Sequence, residues 1–273
     1  MTAKPASPGQ LHFILSEPAN NGWDTPPPDD RVSRVTGGSD LGELRSVDVD
    51  GLKLAYRVAG DTTAPPMLLL HALGEDERDW HTVLPRLAET HRVYALDMRG
   101  HGASDFPGRY SFELMRDDVI GFLEAVGVDH CVLIGHSMGG TVSFLVAEAA
   151  PHRLTHLILE DTPPPKPGAS KRARRVRPDL PMPFDFNVVN AIIDQLNDPD
   201  PAWWDRTDVI DVPTLVIGGG PDSHVPQHLL TELVDRMPDA TIVTIAAGHH
   251  VHTGQPEEFL AAVRDFLADR AVH

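Results

Sequence analysis

A doubly wound α/β fold is expected, with a mostly parallel sheet, an N-terminal antiparallel hairpin and a small cap insertion. Three observations predict it. Short, continuous apolar runs recur at 66–73, 91–98, 130–135, 154–161, 213–220 and 240–248, and such runs suit strands buried on both faces of a parallel sheet. Helical patterns fill the intervals at 80–87, 112–126, 138–150, 226–237 and 256–267, so strand and helix alternate. Between Thr162 and Asp211 no strand pattern occurs, and about fifty residues are too many for an ordinary crossover.

Taken in order, residues 1–43 are rich in Pro, Gly, Asn and Asp, with "DTPPPDD" and "TGGSD" as punctuation. They read as an extension that packs loosely or is disordered, with the short run 11–15 as a segment able to dock. "LRSVDVDGLKLAYRVAG" alternates about Asp50-Gly51, which signals a hairpin. The core is expected at 44–162 and 212–273, and the cap at 163–211. The cap opens on "TPPPKPG", carries "ASKRARRVRPDLPMP" and ends in helical patches at 188–196 and 201–206. Trp203 and Trp204 are expected to anchor it. Phe184, Phe186 and Trp80 are candidates for the wall of an acyl site, or plain packing.

Composition narrows the partners. The formal net charge is −17 and hydrophobic residues make up 41% of the chain. That permits a substantial core and disfavours nucleic acid and anionic membranes as partners. A small-molecule substrate is expected, and nothing in the pattern speaks to oligomeric state. The single cysteine, Cys131, rules out an internal disulfide and reads as a buried thiol. Near the N-terminus Lys4 is followed by Pro5, Pro8, Gly9 and Gln10, with no apolar stretch of the secretory kind, and no window approaches ~18 apolar residues. A cytoplasmic setting is the expectation. The basic run Lys166, Lys171, Arg172, Arg174, Arg175, Arg177 reads as a solvated loop, a partner for acidic surface, or a guide for anionic substrates.

The chemistry gathers at Gly135-His136-Ser137-Met138-Gly139. This G-x-S-x-G lies directly after a predicted strand and directly before a predicted helix, the context a nucleophile elbow requires. The turn forces the serine into strained backbone angles, and a Cβ on either flanking glycine would clash. The helix N-terminus then offers free N–H groups where an oxyanion would form, the Met138 N–H first. A serine needs a base. His249 follows the last predicted strand, level with Ser137, with His250 and His252 as competitors. The base needs a carboxylate to orient it. Asp222, in "GGGPDSHVP", completes the order Ser, Asp, His. Asp161, ending "LTHLILED", is the rival.

From about Leu44 to Phe266 the chain resembles the α/β-hydrolase superfamily, and looks like its esterase and lactonase members with a small cap. The resemblance rests on "LLLHALG", "DMRGHGASD", "GHSMGG", "GGGPDSHVP" and "GHHVHTGQPEEF". It implies Ser137, Asp222 and His249 as catalytic residues and the Leu73 N–H as second oxyanion donor. It also implies that His71, Arg99, His101 and Asp105 brace loops. The family pattern has His-Gly where this chain has His71-Ala72, a departure that bears on how the loop presents Leu73. Glu75 and Asp76 either face solvent or meet a polar or cationic substrate group. The function implied is a serine hydrolase acting on a carboxylic ester or lactone. The same apparatus in relatives serves C–C bond hydrolysis, perhydrolysis, amide hydrolysis and acyl transfer, and a catalytically dead binding protein is a third reading. Serine at the elbow argues against the dehalogenase branch, which resembling enzymes run with aspartate. His224, His228, His249, His250 and His252 lack an H-E-x-x-H or similar spacing, and no G-x-G-x-x-G follows the first strand. No metal and no cofactor is expected.

Overall fold

Residues 41–270 are described by the structure, a computed structural model. The expectations for residues 1–40, including the run 11–15, lie outside the described residues.

Strands β1 (Glu43–Val49) and β2 (Leu52–Ala59) form the expected hairpin. Asp50 and Gly51 at its tip have φ of 52° and 82°, the left-handed angles that a two-residue turn needs to match strand twist. The remaining strands are β3 (Pro66–Leu70), β4 (Arg92–Leu96), β5 (Cys131–His136), β6 (Leu154–Glu160), β7 (Thr214–Gly218) and β8 (Ala240–Thr244). They form one eight-stranded sheet in the order β1-β2-β4-β3-β5-β6-β7-β8. Only the β1/β2 and β2/β4 pairs are antiparallel.

Side chains along a strand alternate between faces, and both faces are buried. Leu68, Leu70, Leu133, Leu157 and Leu159 enter one core cluster. Met67, Leu69, Val132, Ile134 and Ile158 enter the other. This explains why the sequence shows continuous apolar runs rather than alternation. Helices α2 (Phe112–Ala125), α3 (Met138–Ala149) and α6 (Gln227–Arg236) cover the first face, and α1 (Leu84–Leu87) and α8 (Pro256–Arg270) the second. The expected helix over 80–87 is instead a 3-10 turn, Glu77–Thr82, followed by α1. Pro85 at the start of α1 has no N–H to continue the preceding turn.

Between β6 and β7 the chain builds the cap from α4 (Asn187–Asn197) and α5 (Ala202–Asp205). Helix α4 buries Val188, Val189, Ile192 and Ile193, one apolar stripe at helical spacing. The basic stretch runs alongside it, held by two side-chain amides. Asn190 accepts the Arg175 N–H and donates to its carbonyl, and Asn197 does the same for Arg172, at 2.6–3.0 Å. Phe184, Phe186, Trp203 and Trp204 are buried in the cluster on the cap side. Trp80 is fully buried on the opposite face and so is not part of a wall on the cap side. Among the described residues no helix is long and apolar enough to cross a membrane.

Candidate active site

Strand β5 passes into helix α3 with one residue between them. Ser137 is that residue, with φ 52° and ψ −114°, a backbone conformation rarely tolerated outside glycine. Its neighbours show what the corner demands. A Cβ on Gly135 would lie 2.4 Å from the Gly139 carbonyl oxygen, and one on Gly139 would lie 2.3 Å from that of Leu70. Strand, turn and helix approach so closely that only glycine fits on either side. The corner leaves Ser137 half-exposed while the residues on both sides are buried.

The first turn of an α-helix has no internal acceptors for its N–H groups. In α3 the first N–H to be satisfied is that of Thr141, by the Ser137 carbonyl at 3.0 Å, so the Met138 N–H lies in the unsatisfied turn beside Ser137. The loop after β3 carries Leu73, half-buried. Its left-handed residue is Gly74, at φ 83°. Ala72 is therefore not where this loop needs glycine, which accounts for the departure from His-Gly. Two imidazoles fix the loop. The Met98 N–H donates to His71 Nε2 at 3.0 Å and the Gly74 N–H to His101 Nε2 at 3.2 Å. Their Nδ1 atoms lie 2.8 and 3.0 Å from the carbonyls of Ala72 and Arg99. Burial holds His101 well below the usual histidine range, which keeps Nε2 an acceptor. Arg99 pairs with Asp118, and Asp105 accepts the Lys53 N–H at 2.8 Å.

His249 sits just past β8, at the sheet edge that Ser137 occupies. Its Nδ1 lies 2.7 Å from Asp161 Oδ2. A carboxylate only accepts, so the proton stays on Nδ1 and Nε2 is the nitrogen left to take one. The structure thus brings His249 to Asp161, the rival, and not to the expected Asp222. Asp222 is exposed on its loop, whereas Asp161 is fully buried and ringed by donors. The Gly219 N–H reaches it at 2.8 Å, Gln227 Nε2 at 2.9 Å, and the Ser223 hydroxyl bonds the oxygen that faces His249. Burial works to raise the Asp161 carboxyl, but His249 and these donors hold it below its ordinary value. Burial lowers His249, against the pull of Asp161. Asp161 is in the left-handed region, φ 46°, one residue past β6 as Ser137 is one past β5. Of the competing bases, His252 is fully buried, and His250 opens the short helix α7 (Val251–Gly254).

Sequence reasoning missed the charged cluster beneath this edge. His136 and Glu160 are register partners on β5 and β6, one residue before Ser137 and Asp161, and both are fully buried. With Asp79 and His252 they form a hydrogen-bonded quartet. A charged residue ending each of two otherwise apolar strands was the available signal, since a buried charge must find a partner. Asp79, His136 and His252 bring ligand atoms within 4.8 Å of one another, but their ring nitrogens already face oxygens of Asp79, Glu160 and the His249 carbonyl. Nor do Glu75 and Asp76 both face solvent. Asp76 is buried and caps the 3-10 turn, accepting the Arg78 N–H at 3.0 Å. Glu75 is half-buried, pushed up to about 7 by burial and then by Asp79 and Asp76.

Residues 65–198 match a family model described as the alpha/beta hydrolase fold. Among curated proteins the chain is 35% identical over 127 residues to an epoxide hydrolase 3 of Xenopus tropicalis, covering 45% of this chain and 34% of that one. The matched part thus spans about a third of that relative's length. It is 26% identical to an sn-1-specific diacylglycerol lipase of Mus musculus over 82% of this chain and 88% of the other. Among solved structures, a thermophilic esterase from Thermogutta terrifontis superposes with a TM-score of 0.72 at 26% identity, covering 84% of this chain and 99% of that one.

Proposed function

We propose, for a chain that belongs to the α/β-hydrolase superfamily, that it is a serine hydrolase cleaving a small carboxylic ester or lactone through an acyl-enzyme on Ser137. The observation that carries this is the left-handed Ser137 at the head of α3, on the same sheet edge as a buried imidazole–carboxylate pair. A glycine turn without chemistry would need neither the strain at a serine nor the pair beside it. His249 Nε2 takes the proton as Ser137 Oγ attacks the carbonyl. Asp161 holds the ring by Nδ1 and stabilises the imidazolium. The N–H groups of Met138 and Leu73 receive the negative oxygen, a contribution of about 3–4 kcal/mol per donor in enzymes of this kind. Collapse expels the alcohol, protonated by His249. Water activated by the same ring then releases the acid. The likeness to lipase- and esterase-named proteins supports acyl chemistry.

The test is a panel of esters, lactones and amides of graded acyl length, run beside Ser137→Ala, with a fluorophosphonate probe as titrant. The wild type is expected to take one equivalent of probe and to hydrolyse an ester or lactone. Ser137→Ala is expected to fold, to take no probe and to lose nearly all turnover. Ester hydrolysis retained by that variant would sink the assignment.

A further inference from the structure

The buried quartet under the catalytic edge is more elaborate than packing requires. Each of its imidazole nitrogens meets an oxygen that can only accept. His252 Nδ1 lies 2.8 and 2.9 Å from the two Glu160 oxygens. Its Nε2 lies 3.0 Å from the Asp79 carbonyl and 3.2 Å from Asp79 Oδ1. His136 Nε2 lies 2.9 Å from the His249 carbonyl, and its Nδ1 3.4 Å from Asp79 Oδ2. A neutral imidazole offers one donor and one acceptor, so this set of oxygens suits two imidazoliums balanced by two carboxylates, His252 by its short contacts most clearly. The Trp80 ring stacks on His252 with centroids 4.3 Å apart, which suits a cation. Taking four charges out of water is expensive, and apolar residues of the same shape often serve stability as well or better. Stability alone therefore does not account for the quartet.

Its connections do. His136 precedes Ser137 in the chain, and Glu160 precedes Asp161. The Glu160 backbone carbonyl accepts the Ser137 N–H at 3.2 Å. Glu160 Oε1 accepts the His252 N–H at 2.9 Å, three residues past His249. Asp79 belongs to the 3-10 turn that ends the oxyanion loop. We propose that Asp79, His136, Glu160 and His252 are positioning residues that lock Ser137, Asp161 and His249 into one frame, with His136 holding the base by the bond from its Nε2–H to the His249 carbonyl. This rests on the serine-hydrolase reading for its kinetic consequence, and on the geometry alone for its protonation state.

A second effect follows from the charge. The His136 ring lies 4.8 Å from the His249 ring, and a cation there opposes protonation of the base. The other charged and titratable groups facing His136 are Asp79 and Glu75 from the oxyanion side, Glu160 from β6, and His250 and His252 from the C-terminal loop. Burial and the His136 charge lower His249, and Asp161 and Glu160 raise it.

The experiment compares the wild type with His136→Phe, which keeps a ring but removes both donors, and His136→Gln, whose amide N–H takes the place of Nε2–H without its charge. In His136→Phe the expected loss is roughly 10²-fold in kcat, as for a small displacement of a catalytic group, with KM within a factor of about two. The rate of fluorophosphonate labelling should fall in step. His136→Gln should recover most of kcat, and its acid limb in kcat/KM should move to higher pH. Unchanged kcat and an unmoved acid limb in both folded variants would overturn the proposal, even if their melting temperatures drop. Should His136→Phe not fold, His136→Gln and the wild type decide. In 15N NMR spectra of the wild type near neutral pH, His252 is expected to carry protons on both ring nitrogens. A singly protonated His252, or a stoichiometric divalent metal in the purified protein, would overturn the assignment. If the wild type neither takes the probe nor cleaves any ester, the serine-hydrolase reading fails. In that case the NMR result, with the shift of the His249 Nδ1–H signal in His136→Gln, still decides the quartet.

Discussion

At the scale of the residue, the two rival carboxylates differ in what surrounds them. Asp161 is buried and hydrogen-bonded to His249 Nδ1 at 2.7 Å, while Asp222 is exposed. Asp161→Asn is therefore expected to cut kcat by roughly 10⁴-fold, as the same change does in a serine-protease triad, because an amide can favour the wrong tautomer of His249. Asp222→Asn should stay within about threefold, the usual tolerance of an exposed position. Steady-state kinetics on the best ester of the panel decides between them, and a larger loss in Asp222→Asn would reverse the assignment. The acid titration carries the same sign. His249 must be neutral to act and its ring is lowered, so activity should persist below the ordinary histidine range and fail as pH drops through the His249 value. The corner at Ser137 was legible in the sequence because its signal is local, a strand, a tight turn and a helix. Which aspartate meets His249 was not. Both aspartates lie between Ser137 and His249 in the chain and both follow a strand, so order and position cannot separate them. What does is the convergence of Gly219, Ser223 and Gln227 on Asp161, and no local pattern shows those three donors meeting one carboxylate 58 to 66 residues before them.

Among the elements, the β5–α3 corner is the one that cannot be rebuilt piecemeal. Gly139→Ala would set a methyl group 2.3 Å from the Leu70 carbonyl oxygen, which is backbone and cannot swing aside. A cost of about 1–3 kcal/mol is expected, as for overpacking elsewhere, read as a lower denaturant midpoint with an unchanged slope. Since Leu70 leads into the loop that carries Leu73, the proposed second oxyanion donor, probe labelling should slow in the folded variant as well. Full stability and activity in Gly139→Ala would mean that this corner has room for a methyl group and that close apposition of strand and helix is not what requires glycine there. The strands were readable because burial on both faces leaves continuous apolar runs. The turn and helix over 77–87 were less so, because Pro85 divides a pattern that periodicity alone joins into one helix.

For the molecule as a whole, the segment between β6 and β7 is tied to the sheet core by buried aromatics, hydrogen bonds and ion pairs. Trp204 is the clearest. Its Nε1–H donates to the Pro164 carbonyl at 3.0 Å, and its ring is approached by Lys166 Nζ at 4.9 Å and by the Arg236 guanidinium at 5.2 Å, both paired with Glu232 on α6 of the core. Trp204→Ala should cost about 3–5 kcal/mol, measured as a loss in melting temperature, while the fraction that remains folded still takes the fluorophosphonate probe. Loss of labelling in that fraction would mean that the cap orders the catalytic edge itself. Among the described residues only Asp50, Ser137 and Asp161 place a side chain other than hydrogen at positive φ. Asp50 is a hairpin tip. The other two stand side by side at the ends of neighbouring strands. Such angles cost about 1–3 kcal/mol each, so the fold would be more stable with glycine at both. A lineage released from the need for this reaction would gain by drifting there first. The proposed triad would then decay by relaxation of its backbone, before anything in the core had changed.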